Sequence, residues 1–255
     1  MSARSVFQLS KLASRVCQPS ARPSFAGARS FASLPESIAR GSNSTASFPN
    51  EYPGQNYDFN WTLNADGVTP TKKSAFRITK PLELKIAGLE PLKNSPLKVN
   101  AASSKKSMIE AGSDALDFDA YDEISQRCKD LLSMSDSLFC PEGFMPSSSS
   151  SVRIITNSGA LAPKLLAYLE RAPKRDSKGC SITAYVMEDA QMDNFGAYAI
   201  EEVGEGDNIT SVAAVVCTGK NITVEQVVAG LEMSLDGLKE DEAARKADSE
   251  EAGSE

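Results

Sequence analysis

Residues 151–236 form the longest part of this chain that is patterned like a folded domain, because polar tracts lie before and after them. The segment opens with a β-branched run at 152–156, turns at an Asn-Ser-Gly sequence and continues into an apolar-periodic stretch at 160–171. This pattern predicts a strand that leads into a helix. Alternating apolar residues at 180–187 predict a second strand, which a right-handed crossover would place parallel to the first.

Three more elements are predicted in the rest of this segment. Four apolar residues recur at helical spacing, which predicts a second helix over 189–203: Met192, Phe195, Ala199 and Val203. Residues 209–217 are almost continuously apolar, as in a strand that is covered on both faces. The segment 224–236 is ambiguous, because its apolar residues fit the period of a strand and also a helical stripe that follows a capping box. Local signals alone favour a helix there.

This order of elements resembles the Alba-like nucleic-acid-binding fold, and in particular the stage V sporulation protein S family. The similar residues are the strand at 152–156, the Gly-Ala-Leu-Ala sequence at 159–162 and the Ala-Tyr-Ala-Ile sequence at 197–200. The resemblance covers 151–236 and implies an α/β domain with two layers in the order β-α-β-α-β-β, in which 224–236 is a strand. It also implies a homodimer that binds RNA or DNA through basic loops and the final hairpin.

The basic residues available for such phosphate contacts are few: Lys164, Arg171, Lys174, Arg175, Lys178 and Lys220. Acidic residues stand at 188–189 and 201–202, where the family is more basic, and these carboxylates would repel phosphate. A solvated helix end and loop would explain the same six basic residues without any ligand.

The chain contains no histidine. Ser-His-Asp, Cys-His and histidine-metal chemistry are therefore excluded, although an enzyme that uses Lys or Asp remains an alternative. Five cysteines at wide spacing include no C-x-x-C pair, so we expect them to pack as small apolar residues. The composition predicts a protein that is not an enzyme and has no cofactor and no metal site.

Residues 1–31 contain five basic residues, many serines and no acidic residue, which is the composition of an organelle transit peptide. The Arg-Ser-Phe-Ala sequence at 29–32 is typical of a matrix processing site, so we expect the mature protein in the mitochondrial matrix. Without this peptide the chain would hold 22 basic and 34 acidic residues, a net charge of −12.

The remaining segments divide by composition. Residues 32–113 predict a linker and an extended arm, in which an aromatic cluster at 52–61 would lie against the main domain or a partner. Residues 114–146 predict an amphipathic helix over 117–134, followed by a turn. The acidic segment 239–255 predicts a disordered tail. No stretch approaches the roughly 20 apolar residues of a membrane span.

Two functional hypotheses follow. The first is a non-enzymatic mitochondrial matrix protein whose Alba-like domain binds RNA or DNA. The alternative is an accessory or scaffold subunit of a mitochondrial protein complex, which the aromatic and proline-rich arm and the acidic exterior favour.

Overall fold

A computed structural model of the chain describes residues 63–70, 75–93, 96–146, 148–171, 180–203 and 210–252. The predicted transit peptide and the aromatic cluster lie outside these residues. The structure confirms a mixed α/β fold. The described helices are α1 (Pro81–Ile86), α2 (Phe118–Met134), α3 (Ala162–Tyr168) and α4 (Val224–Ala252).

Within the described residues, seven strands form one mixed sheet in the order β1-β3-β4-β5-β7-β6-β2. Their bounds are β1 Ala75–Ile78, β2 Ile109–Glu110, β3 Leu138–Phe144, β4 Ser151–Thr156, β5 Ile182–Glu188, β6 Phe195–Val203 and β7 Thr210–Gly219. The central strands β4, β5 and β7 are parallel, and β3 and β6 flank them in antiparallel pairing. The β4-α3-β5 unit confirms the predicted strand, helix and parallel strand.

Helices cover both faces of this sheet, which gives three layers where two were predicted. One core lies between the sheet and helices α3 and α4. A second core lies between the opposite face and α2, whose Tyr121 hydroxyl donates a hydrogen bond to the Ala214 carbonyl at 2.8 Å. The predicted helix over 117–134 is confirmed, and the Asp117 carboxylate caps it by accepting from the Ala120 amide at 2.7 Å.

The helix predicted over 189–203 is wrong, because this segment contains strand β6. It forms an antiparallel ladder with β7 that runs from Phe195 opposite Thr218 to Val203 opposite Thr210. Ala197 and Ala199 point into the core under α2, while Tyr198 points into the core under α4. Each side of the strand has an apolar partner, so long-range pairing outweighs the helical spacing of its larger residues.

Residues 224–236 are helical, so the strand implied by the resemblance is wrong. The capping box is present. The backbone N–H of Gln226 donates to Thr223 Oγ1 at 3.3 Å, and the backbone N–H of Thr223 donates to Gln226 Oε1 at 2.8 Å. From residue 151 the observed order is β-α-β-β-β-α, in place of the Alba-like β-α-β-α-β-β.

The prediction of a disordered tail over 239–255 is also wrong for most of its length, since α4 continues to Ala252. Two contacts hold this half of the helix to the sheet. Asp241 accepts a hydrogen bond from Ser211 in β7, and Arg245 lies 3.6 Å from the Glu202 carboxylate in β6.

The described residues before 151 are more regular than the extended arm and turn that the sequence predicts. It supplies β1, β2 and β3, so the segment 151–236 does not form the sheet by itself. Residues 82–86, whose apolar side chains alternate as in a strand and which fall in the predicted extended arm, belong to helix α1, because Pro81 occupies its first turn and Glu83 caps its start. Residues predicted as a turn at 140–144 belong to β3.

Candidate functional site

Of the six predicted phosphate-binding residues, the three that the structure describes do not form one surface. Lys164, Arg171 and Lys220 are exposed, while Lys174, Arg175 and Lys178 lie outside the described residues. Lys164 is in the first turn of α3 and Lys220 follows β7, so both are at the carboxyl edge of the parallel strands. Arg171 is at the opposite edge, since its neighbour Glu170 pairs with Phe144, which faces the first residue of β4.

The carboxyl edge of the parallel strands is itself poorly suited to an anion. Glu188 ends β5, which runs between β4 and β7, so a carboxylate lies between the two lysines. The Asn157 side chain is used to join β4 to β5: its amide donates to the Glu188 carbonyl at 2.9 Å and accepts from the Glu188 amide at 2.9 Å. The Asn-Ser-Gly turn is therefore a structural link between strands.

A buried ion network joins β1, β3, β4 and the 3-10 turn Leu63–Asp66. Arg153 donates from Nε to Glu142 at 2.7 Å and from Nη1 to Asp66 at 2.6 Å. Arg77 donates from Nε to the other oxygen of Glu142 at 2.7 Å. The Arg153 side chain is only 2% exposed, so its charge depends on these two carboxylates.

The electrostatics of this network fit a structural role. Burial raises the pKa of Asp66, an effect that the nearby Arg153 guanidinium only partly opposes. Burial lowers the pKa of Arg153, but the Glu142 and Asp66 carboxylates outweigh this effect and hold the pKa well above its ordinary value. The two arginines and two carboxylates balance in charge and bind one another, so they fasten the turn to the sheet.

Helix α1 exposes an apolar face to solvent. Leu82 and Ile86 are both 68% exposed and lie one helical turn apart, while Leu84 on the other side is buried in the core. Lys80 and Lys85 flank them and are exposed. We call these four residues, Lys80, Leu82, Lys85 and Ile86, the α1 surface.

The only acidic residue within α1 is Glu83, and its carboxylate caps the helix. It accepts from the Thr79 hydroxyl at 3.0 Å and from the Lys80 amide at 3.0 Å. Such a box stabilises the start of the helix. Because the carboxylate is used in this way, the α1 surface presents apolar groups and positive charge together.

A cleft of about 410 Å³ lies beside α1, between the start of that helix and α3. We call it the proline cleft, because four of its lining residues are Pro81, Pro91, Pro96 and Pro163. Leu84 and Leu166 form part of its wall, and Leu92 is 37% exposed at its side. Arg171, Glu170 and Glu142, the last a member of the buried network, supply charged groups. A cleft of this size and lining suits apolar side chains.

The segment that forms these features is basic, although the chain as a whole is acidic. Residues 75–93 and 96–107 contain seven basic and two acidic residues, a net charge of +5, whereas the whole chain has −7. We call these residues the +5 segment. Arg77 is used in the buried network and Lys105 pairs with Glu232 in α4 at 2.9 Å. Lys80, Lys85, Lys93, Lys98 and Lys106 are exposed.

A second cleft, of about 530 Å³, lies between residues 96–105 and helix α4. Its polar centre is Glu232, which pairs with Lys105 and accepts a hydrogen bond from Tyr168. Burial raises the pKa of Tyr168, and the Glu232 carboxylate raises it further. The phenol therefore stays protonated at neutral pH, which does not favour its use as a base.

Other kinds of site find little support in the described residues. No group of three Cys, Asp or Glu residues there is arranged to hold a metal ion. Cys128, Cys140 and Cys217 are buried, and burial raises the pKa of each thiol, so they pack as small apolar residues. No helix in this part of the chain has the length and apolar character needed to cross a membrane.

A scan against protein-family models and a search of curated proteins gave no match. The α1 surface and the proline cleft are therefore the candidate site on geometry alone. Sequence reasoning missed both, because Leu82, Leu84 and Ile86 alternate as they would in a strand. The signal that was present is Pro81 followed by Glu83, a helix start that would have turned Leu82 and Ile86 to the same side.

Proposed function

We propose that this protein is a non-enzymatic accessory subunit of a mitochondrial protein complex and that it binds a partner protein through the α1 surface. The observation that supports the proposal is the 68% exposure of both Leu82 and Ile86 on a helix whose inner side is already buried. Within the described part of the chain, no element buries these two side chains. Apolar residues grouped on a surface are typical of contacts with another protein.

The alternatives based on chemistry are weaker for this arrangement. A catalytic site needs a nucleophile or a base that can reach a substrate in a cleft. The charged side chains of the buried network instead bind one another. The proline cleft has a mainly apolar wall, which supports contact with side chains more than catalysis. The mitochondrial part of the proposal depends on the composition of residues 1–31.

Native electrophoresis of mitochondrial extracts tests the proposal. The full chain, expressed with a small C-terminal tag, should migrate with an assembly much larger than its own 27.2 kDa. The variant Leu82→Gln/Ile86→Gln should leave that assembly, because it removes the apolar contact. Met134→Gln is the matched control, since Met134 is 58% exposed on α2. A wild-type protein that migrates as a free small oligomer would reject the proposal.

A second candidate function is binding of RNA or DNA, which the exposed lysines of the +5 segment favour. Filter binding of the mature protein to RNA and to DNA at low and at moderate salt tests it. Salt-sensitive retention that is lost in Lys80→Gln/Lys85→Gln would support this candidate. Equal retention by wild type and variant, or no retention, would reject a role for this surface in nucleic-acid binding.

A further inference from the structure

The α1 surface combines two features that constrain its partner. Its apolar residues, Leu82 and Ile86, have the spacing of neighbours on one helix face, and the proline cleft adds apolar depth beside them. Its charged residues, Lys80 and Lys85, are positive and exposed. A partner that covers this area must bury apolar side chains and supply negative charge.

We infer that the α1 surface and the proline cleft bind an acidic amphipathic helix of the partner protein. This inference rests on the proposed function, because it gives the chemistry of the partner at the same surface. Apolar side chains on one face of such a helix would contact Leu82 and Ile86 and enter the cleft, in the helix-in-groove manner. Carboxylates on its flanks would pair with Lys80, Lys85 and Lys93.

A contact within this fold has the same chemistry as the proposed one. In the +5 segment, Lys105 pairs with Glu232 of α4, a helix whose apolar residues face the core. The +5 segment thus already contacts one helix through a carboxylate, as we propose for the partner helix. Electrostatic attraction between the +5 segment and a negative partner would also speed association.

A nucleic acid fits this surface less well. Binding of single strands uses aromatic side chains on which bases stack. The exposed apolar residues of α1 are aliphatic, and Phe76 in the neighbouring strand is already stacked on Phe139, with ring centroids 5.9 Å apart. The lysines would attract phosphate, but Leu82 and Ile86 would then remain uncovered.

Fluorescence anisotropy with the full chain and synthetic peptides tests the inference. The probe is a labelled peptide of about five helical turns, with leucines at positions i, i+3, i+4 and i+7 and glutamates between them. Two matched peptides serve as controls: one has glutamine in place of every glutamate, and one has the same residues in scrambled order. The acidic amphipathic peptide should bind more tightly than either, and added salt should weaken its binding.

The variants assign this binding to the surface. Leu82→Gln/Ile86→Gln should weaken the acidic peptide about tenfold, as expected when apolar contacts of an interface are lost. Lys80→Gln/Lys85→Gln should weaken it several-fold and reduce the effect of salt. The matched controls Met134→Gln and Lys220→Gln, which are exposed elsewhere, should not change it. Thermal unfolding should be similar for all four variants, because each changed side chain is exposed.

Three results would overturn the inference. The first is equal binding of the acidic and scrambled peptides, and the second is binding that both α1 double variants leave intact. The third is a short RNA that binds the same surface and displaces the peptide, which would favour the nucleic-acid candidate. If native electrophoresis shows an assembly that depends on Leu82 and Ile86 while the acidic peptide does not bind, the partner chemistry is wrong and the proposed function stands.

Discussion

Two ion networks hold outlying elements to this sheet, and they differ in exposure. In the first, the arginines and Glu142 are each less than 10% exposed at the side chain, and they fasten the turn at Leu63–Asp66. In the second, Arg245 of α4 reaches Asp241 and Glu202, and the Glu202 side chain is 60% exposed. Water can replace the partners of Arg245 but not those of Arg153. We therefore expect the loss of a buried ion pair to lower the free energy of unfolding far more than the loss of an exposed pair.

The largest expected effect is that of Arg153→Met. It leaves the carboxylates of Glu142 and Asp66 buried with fewer positive partners, so the free energy of unfolding should fall by about 3–5 kcal/mol. Urea unfolding measured by circular dichroism checks this. The paired variant Arg153→Met/Asp66→Asn should recover part of the loss, because it removes one stranded charge. A loss below about 1 kcal/mol, typical of exposed pairs, would contradict the distinction between the two networks.

Asp66→Asn alone should have a smaller effect, of about 1–3 kcal/mol. The amide oxygen can still accept from Arg153, and the backbone carbonyl of residue 66 still accepts from the Tyr185 hydroxyl at 2.7 Å. Because burial already disfavours the ionised carboxyl, the loss should come mainly from the altered hydrogen bond to Arg153 and not from the missing charge. The same urea titration measures it, and Asp114→Asn, at an exposed residue of the loop before α2, is the control. A loss as large as that of Arg153→Met would mean that Asp66, and not Arg153, is the centre of the network.

The pH dependence of stability sharpens the comparison further. Burial raises the pKa of Asp66 above its ordinary value of 3.8, so the folded protein holds this proton at a pH where the unfolded chain has lost it. The resulting stability is fully present below that ordinary value and is lost as pH rises through the raised pKa. The free energy of unfolding of the wild type, minus that of Asp66→Asn, should therefore decrease with pH in this window. An increase would mean that Arg153 dominates the pKa of Asp66.

Arg245→Ala should have the smallest effect, a loss of at most about 1 kcal/mol that added salt diminishes. Its partners Asp241 and Glu202 can be hydrated when the guanidinium is removed. Thermal unfolding at two salt concentrations measures the change. A salt-independent loss similar to that of Arg153→Met would erase the distinction between exposed and buried networks.

The parts of the fold that were predictable from sequence have local causes. Strand β4, helix α3 and helix α2 each carry their own periodicity and their own start signal, such as the Asp117 cap. Strand β6 does not, because its identity depends on β7 and on two separate cores that Ala197 and Tyr198 enter from opposite sides. The residue pattern of β6 alone indicates neither its pairing with β7 nor the two cores.

Strand β3 shows the same difficulty in another form. Pro141 and Gly143 are typical of a turn, yet both lie within a paired strand. The glycine is needed there because a Cβ atom would come 2.5 Å from the Glu170 backbone oxygen, where a returning chain segment pairs with Phe144. Neither this close approach nor the opposition of Glu142 to Arg153 follows from local residues. The α1 surface was missed for a related reason, since only the helix brings Leu82 and Ile86 to one side.

Helix α4 is continuous, but its supports change along its length. Val227, Leu231 and Leu235 anchor the first half in a core, whereas the exposed residues after Leu238 are held through Asp241 and Arg245. Backbone amides of the first half should therefore exchange with deuterium only when the entire domain opens, and those of the second half by fraying of the helix end. A single helix would thus show a steep gradient of protection.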